Sequence, residues 1–181
     1  MGILLDLVIV SIIVGGVVWN MRRGFWRALV GTLLLFLSIT FAALLYTPLI
    51  NWFTANLGNP QSGRTAGSIV YTGLLIVFYA VLEYTVSRNY PEQKTPNVRT
   101  WRSIGGGLVG VVWSALMVSI VLLVLDFASI SIGGQVSFIG QLLATSLLVN
   151  FFRTFFQIPL APIRLLFPQG LPEIFVYFTR R

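Results

Sequence analysis

The residues best equipped for chemistry are few: the acids Asp6, Glu83, Glu92, Asp126 and Glu173, in a chain without histidine or cysteine. Asp6 and Asp126 interrupt long apolar runs, where an ionisable group reads first as functional. A proton or ion relay would need further such groups along the middles of those runs, and none occurs there. Glu83 stands one turn from the end of another run, near Arg88 and the basic connection that follows, so a local ion pair is its plain account. Arg64 could reach either Asp6 or Asp126. The missing histidine and cysteine remove thiolate metal sites, disulfides and the usual axial haem ligands. No nucleophile with a base and no Gly-rich phosphate loop can be assembled. Neither an enzyme, a cofactor nor a metal is expected.

The apolar runs that hold these acids explain the composition. Of 181 residues, 56% are hydrophobic and 9% charged, against about 25% charged in soluble domains. Most of the surface must therefore face lipid. The net charge is +7, yet the basic residues cluster at the ends of the runs and line no polar face. Nucleic acid is not expected as a partner. The opening "MGILLDLVIV" lacks the basic n-region of a signal peptide, so its run is predicted to remain as a span.

A span needs about 20 mostly apolar residues. Four stretches qualify: Ile3 to Trp19, Phe25 to Tyr46, Ser68 to Val86 and Ile104 to Phe127. Inside lipid every backbone group must be satisfied locally, so all four are predicted helices. The connections are the short "NMRRG", a Gly- and Pro-bearing stretch from Thr47 to Gly67, and the polar "SRNYPEQKTPNVRTWR". Arg22, Arg23, Arg27, Arg88, Lys94, Arg99 and Arg102 belong to the first and third connections, and Arg64 alone to the second. Cytoplasmic loops carry the excess Lys and Arg. That rule places the first and third connections inside, with Asp6 and Asp126 near the outer surface and hydrated. Lipid phosphates can then serve the arginines of "MRRGFWR" without any protein carboxylate.

Residues 1–128 thus form a four-helix transmembrane domain, and residues 129–181 a separate tail. From Gln135 to Gln157 polar residues recur mostly every three or four positions: Ser137, Gln141, Thr145, Ser146, Asn150, Arg153, Thr154 and Gln157. This spacing predicts an amphipathic helix lying in the interface. A fifth span, carrying Arg153, Arg164, Arg180 and Arg181 inside, is the rival reading. Prolines 159, 162, 168 and 172 then predict an extended or broken segment.

The fourth run opens "RSIGGGLVGVVWSALM", with Gly106, Gly110 and Ser114 at i, i+4 and i+8. Such a stripe lets two helix backbones approach closely. Packing within the chain is the first reading; self-association through this helix, or contact with another membrane protein, is the second.

Taken together, the order of features resembles the colicin V production protein family. Asp6 is followed 17 residues later by "RGFWR", with Arg23, Gly24, Phe25 and Arg27, and the second run leads into "YTPLINWF". Arg102, Gly106, Gly110 and Ser114 then precede Asp126 at the far end of the fourth run. Ala28 stands where the family often carries glutamate, and Ser114 replaces a glycine. The resemblance covers roughly residues 4 to 127, with an amphipathic tail like the family's following. It implies a small, multi-pass protein of the bacterial cytoplasmic (inner) membrane, linked to toxin export and envelope homeostasis. The expected fold is all-α, with four transmembrane helices, an amphipathic helix and a Pro-rich tail. Partners are the lipid bilayer and other membrane proteins. An accessory subunit of a larger respiratory or photosynthetic complex is the alternative, and a small oligomeric channel a third.

Overall fold

In the computed structural model the described residues are 2–57, 63–89, 99–131, 138–167 and 170–180, and their secondary structure is helical throughout. α1 spans Gly2–Arg23, α2 Phe25–Leu57, α3 Gly63–Asn89 and α4 Arg99–Ser131. Three shorter helices follow: α5 Phe138–Thr145, α6 Leu147–Leu165 and α7 Glu173–Arg180. Segments of α1 to α4 measuring 22, 32, 24 and 27 residues are long and apolar enough to cross a membrane.

The helices outrun the predicted spans. α1 continues through Arg23, so the expected loop "NMRRG" shrinks to a single residue. That residue is Gly24, whose φ of 83° only glycine adopts readily. Its amide donates to Asn20 O and its carbonyl accepts from Ala28 N, both at 3.0 Å, closing one helix and starting the next. The predicted connection from Thr47 is a correction: α2 runs on to Leu57 through Pro48. A proline inside a helix costs about 3 kcal/mol. Here its ring sits on an exposed side of α2, while Tyr46 beside it is buried in the core. Thirty-three residues make about 50 Å of helix, more than the hydrocarbon needs. The last turns of α2, with the Trp52–Phe53 edge-on pair, therefore belong at an interface.

α4 is the central helix. Its Leu116, Leu122, Leu123 and Phe127 join Leu35, Ile39, Ala42 and Tyr46 of α2, and Tyr71 of α3, in one buried cluster. Phe152, Phe156 and Leu160 of α6, with Ile174, Phe175 and Phe178 of α7, belong to the same cluster. The ring of Phe175 meets Tyr71 edge-on and stacks against Phe156. Two expectations for the tail are thereby corrected. The polar stripe is broken at Ser146, an N-cap in extended conformation with φ −86° and ψ 130°. The segment predicted to be extended or broken is not extended at its start but helical through Pro159 and Pro162, because Phe156, Leu160 and Ile163 bury a continuous face there. The chain breaks only after Leu165, and Glu173 opens a new helix.

Candidate functional site

The paired charged residues within the bundle gather at its two ends. Gly106 of α4 lies against Asn20 of α1 and the elbow residue Gly24, so α4 begins beside the α1–α2 elbow and runs antiparallel to α1. Asp126 therefore lies at the opposite end, with Asp6.

At the elbow, one carboxylate serves two arginines. Arg27 Nη2 donates to Glu83 Oε1 at 2.8 Å and to Ser87 Oγ at 2.7 Å. Arg23 Nη2 is 3.3 Å from the same Glu83 oxygen, and its guanidinium lies 5.1 Å from the Trp19 ring centroid. This corrects two expectations. Arg23 and Arg27 do have a protein carboxylate, and Glu83 pairs across helices and not with Arg88, which donates to the Tyr84 hydroxyl at 3.3 Å. Glu83 Oε2 is buried without a hydrogen-bond partner among the described residues. Arg22 and Arg88 are exposed. Lys94 lies outside the described residues, as do the side chains of Arg64, Arg99 and Arg102.

At the other end the two aspartates hold the tail. Asp126 is fully buried, and its Oδ2 accepts from Arg153 Nη2 at 2.9 Å. Arg153 also lies over the Phe178 ring at 5.7 Å, so one guanidinium ties α4, α6 and α7 together. The expectation of a hydrated Asp126 is corrected, as is the placement of Arg153 on a solvent-facing stripe. Asp6 Oδ1 accepts from the Ser146 hydroxyl and, at 3.3 Å, from the Leu148 amide. Ser146 Oγ in turn accepts from Val149 N at 3.2 Å. An acid of α1 thus completes the N-terminal cap of α6, where a negative charge faces the positive end of the helix dipole.

Between the ends, Gly106, Gly110 and Ser114 pack against α1. A Cβ on Gly106 would stand 2.6 Å from Asn20 O, and one on Gly110 2.8 Å from Asn20 Cβ. Ser114 Oγ donates to Gly110 O at 2.7 Å and faces Gly16. The stripe is therefore filled within the chain, and a partner using it would have to displace α1. Its counterpart, Gly16, Asn20 and Gly24, went unread in the sequence although it has the same i, i+4, i+8 spacing. Asn20 is buried and anchors itself through Nδ2 to Gly16 O at 2.8 Å. Ala28, fully buried just past the elbow, leaves no room for a longer side chain without displacing its neighbours.

Chemically, these clusters neutralise charge and join helices. Among the described residues no group of histidine, cysteine, aspartate or glutamate could hold a metal ion.

Four helices long and apolar enough to span, three of them joined at Glu83 and the fourth paired with the tail at Asp126, define a small multi-pass helical membrane protein. Residues 5–158 match the colicin V production protein family, and the chain belongs to it. No curated protein and no solved structure matches the chain.

Proposed function

We propose that the protein is a non-catalytic component of the bacterial inner membrane that supports export or envelope homeostasis by packing against partner proteins. The observation that carries this reading is the family match across residues 5–158, which takes in the four spans and the start of the tail. The use of the polar groups supports it. Glu83 is engaged by Arg23 and Arg27, Asp126 by Arg153, and Asp6 by the cap of α6. These groups brace helices and stand in no relay.

The elbow, with Arg22, Arg23, Arg27 and Arg88, faces the cytoplasm in this reading, and the ends holding Asp6 and Asp126 face outward. A single cysteine at Arg22 then reacts with a membrane-impermeant maleimide only after the cells are opened. The role itself is tested by native-gel mass after mild detergent extraction, with mass spectrometry of what comigrates. Recovery of export or envelope proteins supports the proposal. Comigration with a large respiratory or photosynthetic assembly after a salt wash would make it an accessory subunit instead.

A further inference from the structure

α6 differs from an ordinary amphipathic helix in having two opposed apolar faces. Val149, Phe152, Phe156, Leu160 and Ile163 are buried in the core. About half a turn away, at 3.6 residues per turn, Leu147, Phe151, Ile158 and Leu165 form a ridge that is 83%, 60%, 70% and 85% exposed. Between the two faces runs a polar edge, with Asn150, Gln157 and Arg164 all exposed. The core face is covered by the bundle, and the polar edge is fit for water. The ridge is fit for neither.

We infer that this ridge of α6 is sunk in the acyl layer of the membrane leaflet at the Asp6–Asp126 end, with the polar edge turned to the headgroups and water. Three observations select lipid as its occupant. The first is continuity: Ile3, Leu4 and Leu7 of α1 are 81%, 70% and 63% exposed on a spanning helix, so they face lipid. Their turn is joined to the head of the ridge, because Asp6 binds Ser146 and the Leu148 amide on either side of Leu147. The second is Thr154, the one polar residue within the ridge. Its hydroxyl donates to Asn150 O at 3.1 Å, so it brings no unsatisfied donor into hydrocarbon. The third is Arg164, whose place on the polar edge lets its charge reach phosphates while Leu165 beside it points into lipid. The inference stands on the spanning bundle alone, and failure of the export reading would leave it intact.

The chain contains no cysteine, so single nitroxide labels can be placed without background. Phe151→Cys and Ile158→Cys report the ridge; Asn150→Cys and Gln157→Cys report the polar edge. All four are exposed positions, and unchanged helical circular dichroism verifies the fold. In vesicles of phosphatidylethanolamine and phosphatidylglycerol, the ridge labels should collide several-fold more often with oxygen than with an aqueous nickel chelate. The edge labels should show the reverse. Nickel access at the ridge equal to that at the edge would put this face in water and overturn the inference. Dipolar broadening confined to the ridge labels would overturn it in favour of a second copy of the chain.

Discussion

Asp126 on α4 and Arg153 on α6 form an ion pair 2.9 Å long whose acid is wholly buried. Removing one member of such a pair leaves the other charged and desolvated, which costs about 3–5 kcal/mol. Asp126→Ala should therefore lower the thermal midpoint in detergent steeply. The double variant Asp126→Leu with Arg153→Met should recover most of the loss, because an apolar pair of similar volume is close to neutral. Tryptophan fluorescence melts of the single and double variants check this. Equal instability of the two would mean that the charges themselves, and not their mutual compensation, hold the tail.

A different contact holds α1. At Gly106 and Gly110 an added methyl would press on Asn20 O and Asn20 Cβ at 2.6 and 2.8 Å, whereas at Gly73 of α3 nothing lies within 4 Å. Gly106→Ala and Gly110→Ala should each destabilise by roughly 1–3 kcal/mol through overpacking. Gly73→Ala should stabilise by up to about 1 kcal/mol through helix propensity. Steric-trapping measurements in bicelles give the three free energies. Tolerance at Gly106 and Gly110 would show that α1 can move away from α4 freely.

These two contacts also mark how far the sequence could be read. Runs of about twenty apolar residues reveal spans whatever their neighbours, so the four helices and Gly106, Gly110 and Ser114 were legible. The matching Gly16, Asn20 and Gly24 were equally legible, because spacing along the chain is a local property. Pairing between helices is not. Glu83 lies 56 residues from Arg27, and Arg88 at i+5 was the nearer candidate. Arg153 sits among genuinely exposed polar residues, Asn150, Thr154 and Gln157, and nothing local distinguishes the one that turns inward. The prolines misled for a related reason. Local cost argues against helix at Pro48, Pro159 and Pro162, but burial of Tyr46, Phe156 and Leu160 beside them outweighs it.

The elbow predicts a dependence on lipid. Glu83 Oε1 is the carboxylate oxygen that both Arg23 and Arg27 share, and a hydrogen bond to a charged group contributes about 1.5–3 kcal/mol. Partial exposure of all three side chains puts the expected cost of Glu83→Ala at the low end of that range. An anionic phosphate can replace the lost carboxylate. The variant should thus be destabilised in zwitterionic lipid and substantially rescued by phosphatidylglycerol, while the parent protein responds weakly to the change. Melting curves across a lipid titration check this, and an equal response of both proteins would remove Glu83 from the account.

The cap of α6 offers the finest-grained expectation. Asp6 accepts from the Ser146 hydroxyl and the Leu148 amide, and Ser146 Oγ accepts from Val149 N. Losing a side-chain cap costs about 1 kcal/mol, and here the loss falls on one turn. Asp6→Ala should therefore speed amide hydrogen exchange at Leu148 and its neighbours by roughly fivefold, since 1 kcal/mol is a factor of about five in an opening equilibrium. Ser146→Ala should act on the same amides, Val149 included, and the double variant should add little, because both side chains serve one cap. Exchange at Gly106 and Ser114, at the distant α1–α4 contact, should not change. Full additivity of the two substitutions would mean that Asp6 and Ser146 stabilise α6 separately and form no joint cap.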